Sequence, residues 1–176
     1  LALNYQGKYA EAIQYTLKGI KIKEELNDEK GAAAGYNTIG NAYTKLGNYL
    51  EALKYYFISL KLKEKMNDQL GASVALLNIG SVLSSQGKLD AARLYESKAL
   101  VISKALGDKQ GEALVYCNIG DLYFAQENYK EALANDLMAL KIAEELADNQ
   151  LINTTCILIG KTYFAMKQYK EALNYY

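Results

Sequence analysis

The most reactive side chains in this sequence are Cys117 and, four residues later, Asp121. On a helix, this spacing places the thiol and the carboxylate on adjacent turns of one face. A nucleophilic cysteine needs a neighbour that lowers the pKa of its thiol, whereas a carboxylate raises that pKa. The sequence contains no histidine, no phosphate-binding glycine loop after a strand and no carboxylate pair with a general-acid partner. We therefore predict no catalytic residues and no enzyme activity.

Composition limits the classes of ligand. Twenty basic residues balance twenty acidic ones, so no net charge draws the chain to nucleic acid or to an anionic membrane. Two cysteines are too few for a zinc cluster, and we predict no metal and no cofactor. No apolar run approaches the roughly 20 residues of a membrane span, and no signal peptide opens the chain. These features predict a cytoplasmic protein whose partner is neither nucleic acid nor a membrane.

A period of 40 residues organises the elements that must position any binding side chains. The pair Ile-Gly ends at Gly40, Gly80, Gly120 and Gly160, and alanine keeps the same step at Ala12, Ala52, Ala92, Ala132 and Ala172. A fixed period of this length is typical of repeat proteins. Within each period, apolar residues at spacings of three and four predict two helices, at about 29–45 and 49–66 in the best-preserved repeat.

Turn residues separate these predicted helices. Inside a repeat, the position that needs a positive φ holds Gly7, Gly47 and Gly87, and later Glu127 and Lys167. Between repeats, the equivalent position holds Asn27, Asn67, Gly107 and, as an exception, Ala147. An aspartate that suits an N-cap follows each time, at Asp28, Asp68, Asp108 and Asp148. The pattern predicts antiparallel helix hairpins in an all-α fold.

Gly40 lies inside a predicted helix, where glycine costs about 1 kcal/mol against alanine. If the two helices fold back about residue 46, positions whose numbers sum to 92 face one another. This rule pairs Gly40 with Ala52 at a close crossing and places tyrosine pairs on either side, Tyr36 with Tyr56 and Tyr43 with Tyr49. The same rule puts Glu96 and Asp136 where Tyr56 stands, which predicts that the far ends of those hairpins are more solvated.

The order Tyr36, Ile39, Gly40, Tyr43, Gly47, Tyr49, Ala52, Tyr56, Leu60 resembles the tetratricopeptide repeat (TPR), lengthened to 40 residues. This longer form is similar to the repeats of Pins-type spindle adaptors and of bacterial signalling proteins. The resemblance implies a right-handed α-solenoid of stacked hairpins, a TPR superhelix. It implies a single array over residues 1–176, with full repeats at 33–72, 73–112 and 113–152 and partial repeats at 1–32 and 153–176.

Such solenoids expose a concave groove lined by the first helix of each repeat. By the family pattern, the candidate peptide-binding residues of this groove are Asn37, Asn41, Lys45, Leu77, Asn78, Ser81, Asn118, Asp121, Phe124, Lys161 and Phe164. Asparagine is unfavourable inside helices, so several asparagines on one face indicate that the face binds a ligand. An amide has both a donor and an acceptor and can therefore bind the backbone of an extended peptide. The alternative interpretation is that these asparagines are solvated or bridge neighbouring repeats.

Two functions follow. The first is a protein-protein interaction module that binds a peptide or helix of a partner in the groove. The second is a structural coupling or dimerising segment of a larger signalling protein, such as a sensor kinase or a transcriptional regulator. The chain lacks an initiator methionine and stops inside YKEALNYY, which indicates a piece of something longer.

Both ends have apolar faces without a polar cap, which repeat arrays need. We therefore expect end-to-end self-association, in which Tyr9, Ile13 and Leu17 of one molecule are buried against Ile159, Tyr163 and Tyr169 of another.

Overall fold

The computed structural model describes the backbone of residues 2–176 and the side chains of residues 7–176. Over these residues it contains only helices, nine in all: α1 (Ala2–Glu25), α2 (Glu29–Lys45), α3 (Tyr49–Lys65), α4 (Gln69–Ser85), α5 (Leu89–Leu106), α6 (Lys109–Ala125), α7 (Tyr129–Glu145), α8 (Asn149–Ala165) and α9 (Tyr169–Tyr175). The predicted helices at 29–45 and 49–66 are confirmed, the second ending one residue early at Lys65.

The helices form two units, which we call unit 1 (residues 1–88, α1 to α4) and unit 2 (residues 89–176, α5 to α9). Within each unit, every helix packs against the next one along the chain. First helices of successive repeats also touch, α2 against α4 in unit 1 and α6 against α8 in unit 2. The prediction of one array over residues 1–176 stays a prediction.

The connections between helices use the predicted turn residues. Gly47, Gly87 and Gly107 have φ between 68° and 73°, and the non-glycine residues at the equivalent positions are also left-handed: Asn27, Asn67, Glu127, Ala147 and Lys167. The four predicted aspartates cap the helices that follow them, each accepting a hydrogen bond from a backbone N–H two or three residues ahead. Local chemistry therefore fixes where each helix stops and starts.

Gly7 was expected in a turn of this kind, and that expectation is wrong. α1 continues through Gly7 as one helix of 24 residues. Glycine permits a positive φ but does not require one, so Gly7 can remain in the helix.

Ala147 has φ of 51° at the position where Gly107 has 68°. The left-handed region costs alanine about 1 kcal/mol or more, because its Cβ crowds the backbone. We expect Ala147→Gly to raise the free energy of unfolding by about 1 kcal/mol in a denaturant titration. The opposite substitution, Gly107→Ala, should lower it by a similar amount, and equal signs for the two variants would contradict this account.

The tyrosine contacts inside the hairpin differ from those given by the rule that pairs positions summing to 92. The Tyr36 and Tyr43 rings both stack on Tyr55, at centroid distances of 6.0 and 5.6 Å, rather than on Tyr56 and Tyr49. A Cβ added at Gly40 would lie 2.5 to 2.9 Å from three ring carbons of Tyr56. Side chains tilt toward the N-terminus of their helix, so the Tyr56 ring reaches about one turn closer to the loop than its backbone does.

Two of the six residues proposed for end-to-end self-association, Ile13 and Ile159, are buried within the chain, whereas Leu17 and Tyr169 are exposed. Ile13 lies in the core of unit 1 with Ile20 and Ile39. Ile159 is fully buried in unit 2, and the Tyr163 ring stacks on Tyr175 at 5.7 Å. Ile13 and Ile159 therefore cannot form the contact that the sequence suggested, and self-association of any other kind stays a prediction. Among the described residues, no helix is both long and apolar enough to cross a membrane.

Candidate functional site

Unit 1 contains an open pocket of about 270 Å³ on the face formed by α2 and α4. We call it the amide pocket, and its lining residues are Asn41, Thr44, Lys45, Tyr56, Asn78, Ser81 and Val82. Five of these lie on the face that the sequence assigned to the groove: the four candidates Asn41, Lys45, Asn78 and Ser81, and their neighbour Thr44. The structure therefore brings predicted residues from two repeats to one place, and it adds Tyr56 and Val82, which sequence reasoning assigned to packing or left out.

Tyr56 fixes the orientation of Asn41. The Tyr56 hydroxyl donates to Asn41 Oδ1 at 2.7 Å and lies 3.2 Å from Thr44 Oγ1. Thr44 in turn donates to the carbonyl of Gly40 at 2.9 Å. A phenol has a single hydrogen, and the shorter contact assigns it to the Asn41 oxygen. The NH₂ group of Asn41 is thus left to donate to a ligand.

The Tyr56 side chain is only 2% exposed, and this burial raises the pKa of its hydroxyl. A raised pKa keeps the phenol neutral across the physiological range, so it remains a hydrogen-bond donor. Gly40 makes this arrangement possible, because any side chain there would overlap the Tyr56 ring. The glycine that is unfavourable for the helix therefore positions a pocket residue.

Asn78 is oriented by a second bond. Its Nδ2 donates to Asn37 Oδ1 at 3.0 Å and links α4 to α2. This bond confirms the interpretation that asparagines bridge neighbouring repeats, for this pair. It also leaves the Asn78 carbonyl oxygen free to accept a hydrogen bond in the pocket that Asn41 and Lys45 also line.

Unit 2 presents different chemistry at the equivalent positions of α6 and α8. Lys161 Nζ lies 3.4 Å from Asp121 Oδ1 and 4.0 Å from the centroid of the Phe124 ring. The two charged side chains are each about half exposed. Asp121, Phe124 and Lys161 were all predicted site residues, and the structure places them in direct contact.

Two carboxyl groups beneath this face correct the sequence interpretation. Glu96 and Asp136, expected to be solvated, are 1% and 2% exposed. Burial, followed by the negative charge of Asp121, raises the pKa of Glu96 to about 8 and the pKa of Asp136 to about 7. Lys161 opposes the shift at Asp136. One oxygen of each carboxyl group, Glu96 Oε2 and Asp136 Oδ1, has no hydrogen-bond partner among the described residues.

The thiol of Cys117 lies in the hydrophobic core of unit 2. Burial, then Asp136 and Asp121, raise its pKa to about 12. The predicted direction of the Asp121 effect is confirmed, although burial and Asp136 contribute more. Within the described part of the chain, no three His, Cys, Asp or Glu side chains are grouped as metal ligands would be.

Comparison with known proteins assigns the family. The family model described as tetratricopeptide repeat matches residues 31–105 and 111–176. The chain belongs to the tetratricopeptide-repeat family. By sequence, none of the curated proteins matches the chain.

Solved structures of similar fold agree with this assignment. BtubC from P. vanneervenii is 22% identical with a TM-score of 0.83, and the match covers 96% of this TPR chain and 70% of BtubC. The Rap conjugation gene regulator of plasmid pLS20, solved with the Phr* peptide, is 22% identical with a TM-score of 0.82, over 97% of this chain and 47% of the regulator. A STAND-family signal transduction ATPase with a tetratricopeptide repeat sensor, from Pyrococcus horikoshii, is 24% identical with a TM-score of 0.78. The match covers 97% of this chain and 30% of the ATPase.

These matches show the fold: the predicted all-α fold of stacked TPR hairpins is confirmed. This TPR chain spans about half the length of the Rap regulator. The TPR fold is one that serves as a protein-protein interaction module.

The remaining predicted residues of the TPR groove lie apart from these contacts. Leu77 and Asn118 are half-buried on α4 and α6. Phe164 is 60% exposed on α8, and its ring contacts Tyr169 at 5.4 Å. That the predicted residues of both units line a single groove stays a prediction.

Proposed function

We propose that the chain binds an extended segment of a partner protein, and that the amide pocket of unit 1 holds the backbone of that segment. The observation that supports this proposal is the fixed orientation of two amides: Asn41 offers an N–H donor and Asn78 a carbonyl acceptor at one pocket. A peptide backbone offers the matching pair, one carbonyl and one N–H for each residue. Recognition of this kind depends little on the peptide's side chains.

The solved Rap regulator with the Phr* peptide supports the class of ligand, since that protein shares this fold and holds a peptide. The free thiols of Cys117 and Cys156 support a reducing compartment such as the cytoplasm. We also propose that the chain is not an enzyme, because burial and nearby carboxylates keep the Cys117 thiol protonated.

Binding can be tested with peptides selected on the immobilised chain from a random library and measured by fluorescence anisotropy. Asn41→Ala combined with Asn78→Ala should weaken binding by about thirtyfold, since two hydrogen bonds contribute about 1 kcal/mol each. Tyr56→Phe should weaken binding by less, because it keeps both amides but lets Asn41 rotate. N-methylation of the peptide at a contacted backbone nitrogen should have the same effect as losing Asn78.

Asn153→Ala is the matched control, because Asn153 is exposed on α8 outside the amide pocket. It should change neither binding nor melting temperature. If the double variant binds every selected peptide as well as the unchanged chain does, the amide pocket is not the binding site.

A further inference from the structure

Of the described residues that line the amide pocket, Lys45 alone is charged. α4 contains no charged residue, and the other two charged residues of α2, Glu29 and Lys30, lie in its first turn. About 15 residues of helix separate Lys30 from Lys45, a rise of roughly 22 Å. Glu29 is paired with Lys65 at that far end. Among the described residues, the Lys45 ammonium forms no ion pair.

The corresponding face of unit 2 neutralises its own cation. Lys161 Nζ lies 3.4 Å from Asp121 Oδ1 in that unit. Two periods earlier, at the position of Asp121, unit 1 has Asn41, whose side chain carries no charge. The amide pocket therefore presents a positive charge that its own lining does not compensate. Such a surface favours a partner group of the opposite charge.

Ser81 adds a hydrogen-bond donor to the same pocket. Its carbonyl accepts from Ser85 Oγ at 3.0 Å, whereas its hydroxyl forms no hydrogen bond among the described residues. Ser81 and Lys45 are both exposed, so a ligand in the open pocket can reach them. A peptide backbone bound by the two oriented amides would leave the hydroxyl and the ammonium unused.

The spacing along the helices brings these two unused donors within reach of a side chain. Lys45 follows Asn41 by four residues on α2, and Ser81 follows Asn78 by three residues on α4. These spacings place each pair on adjacent turns of one helix face, with a rise of about 4.5 to 6 Å. A side chain that starts at a backbone bound by the amides needs to extend by only about one helical turn. Aspartate and glutamate have this reach.

We propose that the amide pocket selects an acidic residue in the bound segment. Its side-chain carboxylate pairs with the Lys45 ammonium and accepts a hydrogen bond from the Ser81 hydroxyl, while Asn41 and Asn78 hold the backbone. The proposal rests on the proposed function, since the acidic residue belongs to the bound segment. The amides bind the backbone of any residue, and the single cation adds a preference for a negative charge at one position.

The test uses heptapeptides that are acetylated and amidated at their ends, with aspartate, asparagine or lysine at the centre of an alanine sequence. Each is titrated into the full chain, and NMR follows the side-chain amide signals of Asn41 and Asn78. The aspartate peptide should bind about fivefold more tightly than the asparagine peptide, as expected of an exposed ion pair with one hydrogen bond. The lysine peptide should bind most weakly. Raising NaCl from 50 to 500 mM should remove the preference, because salt screens exposed charges.

Variants assign this preference to named side chains. Lys45→Met should reduce the affinity ratio of the aspartate and asparagine peptides to about one, whereas Lys45→Arg should keep it near five, because arginine keeps the charge. Ser81→Ala should lower the ratio by about twofold through the lost hydrogen bond. Lys61→Met is the matched control, because Lys61 is exposed on α3 outside the amide pocket, and it should not change the ratio. Melting curves establish that each variant is folded.

These measurements separate the acidic preference from backbone binding. The double variant Asn41→Ala with Asn78→Ala should weaken the aspartate and asparagine peptides by the same factor. The acidic preference is overturned, with backbone binding intact, if the unchanged chain binds these two peptides equally or if Lys45→Met keeps the ratio. It is also overturned if an alanine heptapeptide with a free C-terminal carboxylate binds as tightly as the aspartate peptide, since the carboxylate then comes from a chain end. If no peptide shifts the amide signals at millimolar concentration, both proposals are wrong.

Discussion

Unfolding experiments should show that the chain loses stability as the pH rises from about 4 to about 8, and that Asp136→Asn and Glu96→Gln each remove part of this loss. Both carboxyl groups are almost fully buried, and their pKa values rise from 3.8 to about 7 and from 4.5 to about 8. Between the ordinary and the raised pKa, the folded state holds protons that the unfolded state has released. The contribution of these two groups to the free energy of unfolding is therefore fully present below pH 4, falls as the pH rises and is lost above pH 8.

The size of this effect follows from the shifts. A difference of roughly three pKa units corresponds to up to about 4 kcal/mol for each group. Denaturant titrations at half-unit steps of pH would measure how steeply the free energy of unfolding changes with pH. Each substitution should reduce this slope between the ordinary and the raised pKa of the residue that it replaces. Asp90→Asn removes a carboxylate that is 92% exposed on the same helix as Glu96, and it should leave the slope unchanged. A chain whose stability is equal at pH 5 and pH 8 would contradict the buried, protonated state of both acids.

Gly120→Leu is expected to destabilise unit 2 by about 3 kcal/mol, because it overpacks a closed helix crossing. A Cβ at Gly120 would overlap Asp136 Oδ1 and lie 3.4 Å from the carbonyl oxygen of Ala132. The carboxyl group could move, but the backbone of α7 could not, so a larger side chain must separate α6 from α7. The approach of Gly120 to Ala132 is the one that the sequence repeat predicted.

Gly19→Leu is the matched control for this substitution. Gly19 also lies inside a helix, but among the described residues a Cβ there meets no atom within 4 Å apart from the nearby backbone of its own helix. Leucine should raise stability there by about 1 kcal/mol through helix propensity. Thermal melts of the two variants should therefore shift in opposite directions, and a similar small shift for both would mean that Gly120 does not lie at a crossing.

Helix positions could be predicted from the sequence because local residues determine them. Asp68 caps α4 and Gly47 ends the hairpin turn wherever the rest of the chain lies. The ring contacts of the tyrosines were predicted wrongly, because the rule compared residue numbers and ignored the direction of side chains such as Tyr56.

The amide pocket was partly predicted, since a family pattern identifies a helix face but not the hydrogen bonds on it. The hydrogen bond by which Tyr56 orients Asn41 joins two helices, and the sequence pattern does not specify it. The burial of Asp136 was missed for a different reason. A carboxylate is usually exposed to solvent, but this position is enclosed between helices in the three inner repeats, where Tyr56, Glu96 and Asp136 are all buried. The sequence did contain one indication of this, since Asp136 stands at the repeat position that tyrosine occupies at Tyr56.

Within each unit, the described parts of the helices touch only partners one or two helices away along the chain. During synthesis, each hairpin of a unit can therefore complete its contacts once roughly the next 20 residues have left the ribosome, without waiting for distant segments. An interrupted or truncated chain would leave one helix face uncovered rather than an entire core. Folding intermediates of each unit should thus be native-like segments that grow by one helix at a time.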